Sequence, residues 1–201
     1  MAAAARVIGI DPHADSLVWV MWADDGNDLG HYGDATTYDD RLAIGTIKRR
    51  DRKHNFVESY HSDLFYLTHW TLPCQPNTFV LLEDVFCRSK AGFKTLSKVQ
   101  GEFLYELERP IPRGTPPFTW RAYNYTLDVV LATTWQSYIF KHFMSKEEQN
   151  GLNTKEKSKM CAAFILRRLL GQDVPAGVIL MNDDICDALC LMYYGLGQTE
   201  E

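Results

Sequence analysis

Four acidic residues stand at positions where an isolated charge is costly. Asp11 closes the apolar run Val7-Ile8-Gly9-Ile10, Glu83 closes Phe79-Val80-Leu81-Leu82, and Asp184 and Asp187 lie three apart near the end of the chain. A carboxylate at the end of a buried strand is unfavourable unless a cation neutralises it. Several carboxylates gathered at one place repel one another, which suits them to hard divalent cations held by oxygen ligands. Two such ions ~3.5–4 Å apart are the arrangement that supports in-line hydrolysis of phosphodiesters. Each acid also has a plainer reading: Asp11 before Pro12 as a turn former, Glu83 as a strand-end charge, Asp183 or Asp184 as a helix cap.

The elements that must position these residues decide between the two readings. Residues 6–10 form a buried strand with Asp11-Pro12 at its exit, and 17–22 a second, paired with it as a hairpin. A third strand is expected over about 28–35 and a mainly helical stretch over 38–71. Residues 79–83 are continuously apolar, as in a central strand covered on both faces. A helix over 89–108 carries Phe93, Leu96, Val99 and Phe103 at helical spacing, and a Pro/Gly-rich loop follows at 110–117. A fifth strand at 127–132, helices at about 134–144 and 154–170, and a last helix at 183–195 complete the pattern. In that last helix Ile185, Ala188, Leu189 and Met192 form the packed stripe, while Asp184 and Asp187 share another face. The whole reads as one mixed α/β domain over residues 1–201, a five-stranded sheet flanked by helices. Ligands of open α/β sheets bind beyond the carboxyl ends of parallel strands. If the first and fourth strands are adjacent and parallel, Asp11 and Glu83 converge there, and a helix across that edge adds Asp184 and Asp187.

The remaining composition narrows the field. With 201 residues, 46% of them hydrophobic, the chain can bury a sizeable core. It has no apolar run of membrane-spanning length. Its five cysteines form no CxxC pair, which fits reduced thiols in an intracellular protein and argues against zinc. The net charge of −5 conceals segregation. The first forty residues are acidic, whereas positive charge gathers at Lys48 to Lys53, at Arg88, Lys90, Lys94 and Lys98, and at Lys155, Lys157, Lys159, Arg167 and Arg168. A local basic face, rather than the total, governs phosphate binding.

Three motifs then point to a family. Ile8-Gly9-Ile10-Asp11-Pro12, Leu82-Glu83-Asp84-Val85-Phe86 and Asp184-Ile185-Cys186-Asp187-Ala188-Leu189, in this order and separation, resemble the RuvC-type Holliday-junction resolvases of the ribonuclease-H-like superfamily. Lys155-Glu156-Lys157-Ser158 is similar to the lysine-bearing segment those enzymes place ahead of the last helix. His13 stands where the family usually has glycine, and the segments 38–72 and 109–126 look longer and more aromatic than in bacterial members, which suggests a phage, viral or otherwise divergent branch.

The resemblance implies a ribonuclease-H-like fold and a Mg²⁺-dependent endodeoxyribonuclease that resolves four-way junctions by paired symmetric nicks. Asp11, Glu83, Asp184 and Asp187 would hold two Mg²⁺ ions, with Mn²⁺ able to substitute. Lys157, or Lys155 if the local alignment slips, would assist catalysis. Phe86 would stack near the junction centre, and Arg88, Lys90, Lys94, Lys98, Lys155 and Lys159 would contact DNA. A twofold homodimer, branched DNA as partner and an intracellular, cytoplasmic location (the host cytoplasm if viral) belong to the same expectation. Two rivals share the features: a broader nuclease of flaps or other branched DNA, and a junction-binding scaffold that does not cut. A sugar-kinase-like or chaperone ATPase ranks last, because no Gly-rich phosphate loop follows Asp11 or precedes Asp184.

Overall fold

A computed structural model describes residues 6–13, 16–23, 35–38, 40–48, 78–84, 90–108, 125–171 and 182–199. Strands β1 (Arg6–Pro12), β2 (Ser16–Ala23), β3 (Thr36–Tyr38), β4 (Leu42–Lys48), β5 (Thr78–Glu83) and β6 (Tyr125–Val130) form one sheet in the order β3-β4-β2-β1-β5-β6. β1 to β4 pair antiparallel, whereas β5 runs parallel to both β1 and β6. Among the described residues the helices are α1 (Lys90–Glu108), α2 (Ala132–Phe143), α3 (Lys146–Gln149), α4 (Thr154–Leu170) and α5 (Asp183–Thr199).

Side chains alternate across a strand with period two, so each strand feeds two cores. Ile8, Ile10, Leu17, Trp19, Met21, Val80 and Leu82 pack with Val99 and Phe103 of α1 on one face. Val7, Val18, Val20 and Leu81 pack on the other face with α2, α4 and α5. Gly9 and Asp11 share the parity of Val7, and Glu83 shares that of Leu81, so both acids fall on the α5 side. The register pairs Ile10 with Leu82, which sets Asp11 and Glu83 side by side at the strand ends.

Helix α5 lies directly on this face and is buried on most sides, with Cys186, Ala188 to Tyr193 and Gly195 all covered. Two glycines permit the close approach. A Cβ at Gly9 would run into the Ala188 carbonyl oxygen and the Met192 amide, and one at Gly195 into the side chains of Leu81 and Val7. At the start of α5, the Asn182 side chain accepts from the amides of Asp184 (3.0 Å) and Ile185 (3.4 Å). Asn182 thus serves the capping role, and the carboxylates of Asp183 and Asp184 are released for other contacts.

Two expectations are corrected. Among the described residues the sheet has six strands, not five, and residues 42–48 are strand rather than part of a helix over 38–71. Leu42-Ala43-Ile44-Gly45-Thr46-Ile47 is a short apolar run rich in β-branched residues, and its pairing with β2 places Gly45 opposite Trp19. A Cβ at Gly45 would meet the Trp19 indole, so the ring covers the glycine and holds the register. The strand expected at about 28–35 falls almost wholly outside the described residues; the observed β3 is three residues further on. Of the cysteines, Cys161, Cys186 and Cys190 are buried and free, and burial pushes the Cys161 and Cys186 thiols up to about 12.

The Gly9 contact generates a test with an internal control. Gly9→Ala forces α5 away from β1 and is expected to cost ~1–3 kcal/mol by overpacking. Gly101→Ala lies within α1, where an added Cβ meets nothing within 4 Å, and is expected to gain about 0.5–1 kcal/mol. Urea denaturation of the two variants measures both; equal stabilities would refute the close-approach account.

Candidate metal centre

The centre forms where β1 and β5 end beneath the first turns of α5. Asp11 is buried, at 4% exposure, although it is acidic. The ring nitrogen Nε2 of His13 donates to Asp11 Oδ2 at 2.8 Å and lies 3.2 Å from Asp184 Oδ1. A backbone bond from the His13 amide to the Ser16 carbonyl (2.7 Å) closes the β1–β2 connection and fixes this residue at the strand exit. Donor atoms of Asp11, His13 and Asp184 all lie within 4.8 Å of one another. On the other flank, the indole Nε1 of the fully buried Trp135 in α2 donates to Glu83 Oε2 at 2.8 Å.

Electrostatics follow from burial of like charges. Burial raises Asp11, with the charge of Asp184 adding to the effect and His13 opposing it. Burial and then the neighbouring Asp11 charge push Glu83 up to about 8. Asp187 is pushed up to about 6 by burial, reinforced by Asp11 and Asp184. Burial works against charge on His13, but the Asp11 bond and the charges of Asp11, Asp184 and Glu83 outweigh it and raise the ring to about 9. The Ser158 hydroxyl lies beside Asp187, near enough to ease its charge, yet neither Ser158 Oγ nor Asp187 Oδ1 has a hydrogen-bond partner. Crowded carboxylates that hold protons for want of a counter-charge, together with a buried oxygen left unpaired, are a donor set that divalent cations fit.

Helix α4 brings the basic groups. Its start is fixed by a capping box, in which Asn153 Oδ1 accepts from the Glu156 amide (3.0 Å) and Glu156 Oε2 accepts from the Asn153 amide (2.8 Å). Lys155 and Lys159, four apart and so on one face, both bind Asp183, at 3.0 and 2.6 Å. Lys155 also acts on the charges of Asp11, Asp184 and Asp187. Lys157 faces elsewhere: its ammonium sits over the Phe140 ring, 5.9 Å from the centroid. Of the two lysines the sequence left open, Lys157 or Lys155, helical phase puts Lys155 beside the carboxylates.

The four carboxylates read from the sequence thus converge. Lys94 and Lys98 are exposed on α1, the side chain of Lys90 is outside the described residues, and so are Phe86 and Arg88. Three participants went unassigned in the sequence: His13, Trp135 and Ser158. His13 carried a signal, as the departure from glycine after Asp-Pro, and Ser158 lay within the lysine-bearing segment without a role of its own, but Trp135 carried none.

Folded-state protons on Asp187, Glu83 and His13 imply a specific pH dependence. The unfolded chain releases them near 3.8, 4.5 and 6.5, whereas the folded chain keeps them to about 6, 8 and 9. The folded state binds more protons across this range, so stability falls as pH rises. In chelator, the denaturant midpoint should drop between pH 6 and 9; Mg²⁺ or Mn²⁺ should restore it most at the alkaline end, and Glu83→Gln should flatten the slope below pH 8. A flat profile in chelator would refute this electrostatic description.

Neither a family model nor a curated protein sequence matches the chain. Solved structures do. Thermus thermophilus RuvC in complex with Holliday junction substrate matches with a TM-score of 0.53 at 13% identity, over 94% of this chain and 91% of that one. A second Thermus thermophilus RuvC structure matches with a TM-score of 0.53 at 15% identity, over 94% and 92%. At this identity the likeness establishes the architecture: the chain has a RuvC-like, ribonuclease-H-like mixed α/β fold.

Proposed function

We propose that this chain is a structure-selective DNA endonuclease that resolves four-way junctions by paired symmetric nicks. The observation that carries the reading is the convergence of Asp11, Glu83, Asp184 and Asp187 at the carboxyl ends of adjacent parallel strands, where burial raises the pKa of Asp11, Glu83 and Asp187. It gains support from the fold shared with a protein solved in complex with a Holliday junction substrate. In this reading the four carboxylates hold two divalent cations, Mg²⁺ or Mn²⁺, which would supply an acidified water and charge neutralisation at phosphorus.

The chain's own residues do the rest. Asp11, on the central strand between Glu83 and Asp184, is the carboxylate placed to be shared. Trp135 fixes the orientation of Glu83 through its indole N–H, as hydrogen-bonded outer partners do for metal ligands generally. Lys155 steadies the phosphate's developing negative charge, with Asp183 holding its ammonium in position. Lys159, Lys94 and Lys98 contact the DNA backbone, giving affinity that falls with salt and carries little sequence information. Phe86 stacks on a base at the opened centre, worth ~1–3 kcal/mol. Hydrolysis leaves 5′-phosphate nicks. Two symmetric cuts require two sites facing one junction, hence a twofold homodimer; among the described side chains of α1, Tyr105, at 60% exposure, is the exposed large apolar one that such pairing would cover. The DNA substrate implies action inside a cell, and among the described residues no helix is long and apolar enough to cross a membrane.

The test is cleavage of a labelled synthetic four-way junction beside duplex, flap and RNA–DNA hybrid, with Mg²⁺ and with chelator. Paired metal-dependent nicks confined to the junction are expected. Cutting of every branched substrate would reduce the reading to a general structure-selective nuclease, and tight binding without cutting would replace it by a scaffold. Asp11→Asn should abolish cutting and leave junction binding equal or tighter, because it removes a buried negative charge facing the phosphate. Lys155→Ala should slow cutting by ~10²-fold, the usual scale for losing one transition-state donor, while Lys157→Ala should change little. A larger loss in the Lys157 variant would reverse the assignment made from helical phase.

A further inference from the structure

His13 is the member of the constellation that carboxylate chemistry does not require. It follows Asp11 by two, just beyond the end of β1, its amide is tied to Ser16, and its Nε2 sits 2.8 Å from Asp11 Oδ2 and 3.2 Å from Asp184 Oδ1. Adjacent donors around a six-coordinate ion with bonds of about 2.1 Å lie about 3 Å apart. The two separations match the edges of such a shell, with the ring nitrogen as one corner and carboxylate oxygens as the other two. A second, independent observation lies next to this triangle. Ser158, at 1% exposure, has a hydroxyl without a partner beside Asp187, whose own Oδ1 is buried and unpaired.

We propose that His13 is a direct ligand of one divalent cation, completing an Asp11–His13–Asp184 set, and that its nitrogen makes this position prefer Mn²⁺ to Mg²⁺. The proposal rests on the metal-dependent reading of the site and adds a ligand to it. Mg²⁺ demands oxygen donors and near-ideal octahedral geometry, whereas imidazole suits first-row transition ions better. A histidine ligand coordinates through a neutral ring nitrogen, and Nε2 is the ring atom that faces both Asp11 and Asp184. Orientation is already provided by the strand exit, which leaves little side-chain freedom to lose on binding.

Electron spin-echo envelope modulation of the full chain loaded with Mn²⁺, without DNA, tests this directly. Nitrogen modulation from a bound imidazole is expected; it should change when histidine is ¹⁵N-labelled and vanish in His13→Ala. Calorimetry should show His13→Ala weakening Mn²⁺ by at least about tenfold, since even outer-shell changes cost 10–100-fold, with Mg²⁺ little affected. His13→Asp should bind both ions and lose the Mn²⁺ preference. Mn²⁺ bound without nitrogen modulation, or modulation that persists in folded His13→Ala, would overturn the proposal, and the isotope comparison in the unaltered chain holds even if a variant fails to fold. Nitrogen modulation without cleavage of any DNA would keep the ligand and overturn the nuclease, cleavage without modulation would do the reverse, and no metal binding would overturn both.

Discussion

The contact of helix α5 with strand β1 at Gly9 is the constraint on which the rest of this structure depends. A helix normally stands off a sheet by the length of the side chains between them. Here the Ala188 carbonyl and Met192 amide reach the strand backbone because position 9 has no Cβ. The same approach builds the core on that face, with Val7 and Leu81 against Gly195 at the other end of the helix. It also sets Asp184 and Asp187 over Asp11, so packing and chemistry are fixed by one geometric fact.

The centre so formed is electrostatically unfavourable without a cation. Three buried or half-buried carboxyls, Asp11, Glu83 and Asp187, are raised in pKa, and the histidine between Asp11 and Asp184 is raised as well by the negative charge around it. Such an arrangement survives because the surrounding elements over-determine it: Trp135 holds Glu83, the hairpin closure holds His13, and Asn182 caps α5 so that Asp183 and Asp184 are not consumed as caps. Stability is given up at the site and recovered in the two cores that flank the sheet, a division common where function requires local strain or repulsion.

The basic face obeys a different geometry. Lys155, Lys157 and Lys159 are alternate residues, which would share a face on a strand but not on a helix. Once 154–170 is helical, Lys155 and Lys159 fall together on Asp183 and Lys157 turns to Phe140. Asp183, one residue before a site carboxylate, thereby links α4 to α5 and orders the lysines nearest the acids.

The sequence by itself determined the four carboxylates, the strands that end in Asp11 and Glu83, and the helix that presents Asp184 and Asp187. These follow from local rules: apolar runs of strand length, helical spacing of acids, and the expense of charge at the end of a buried strand. It also determined the mixed α/β class, which the fold of the Thermus thermophilus RuvC structures matches at 13–15% identity. Tertiary structure alone decided β4, whose short apolar run has no period to separate strand from helix until Trp19 closes over Gly45. It decided as well which lysine faces the acids, and that Trp135 and His13 touch them, because those partners lie 52 residues away across the sheet in one case and depend on the exact strand exit in the other. Local patterning encodes which groups are poised to react; the contacts that tune them are long-range, and only the packed chain specifies them.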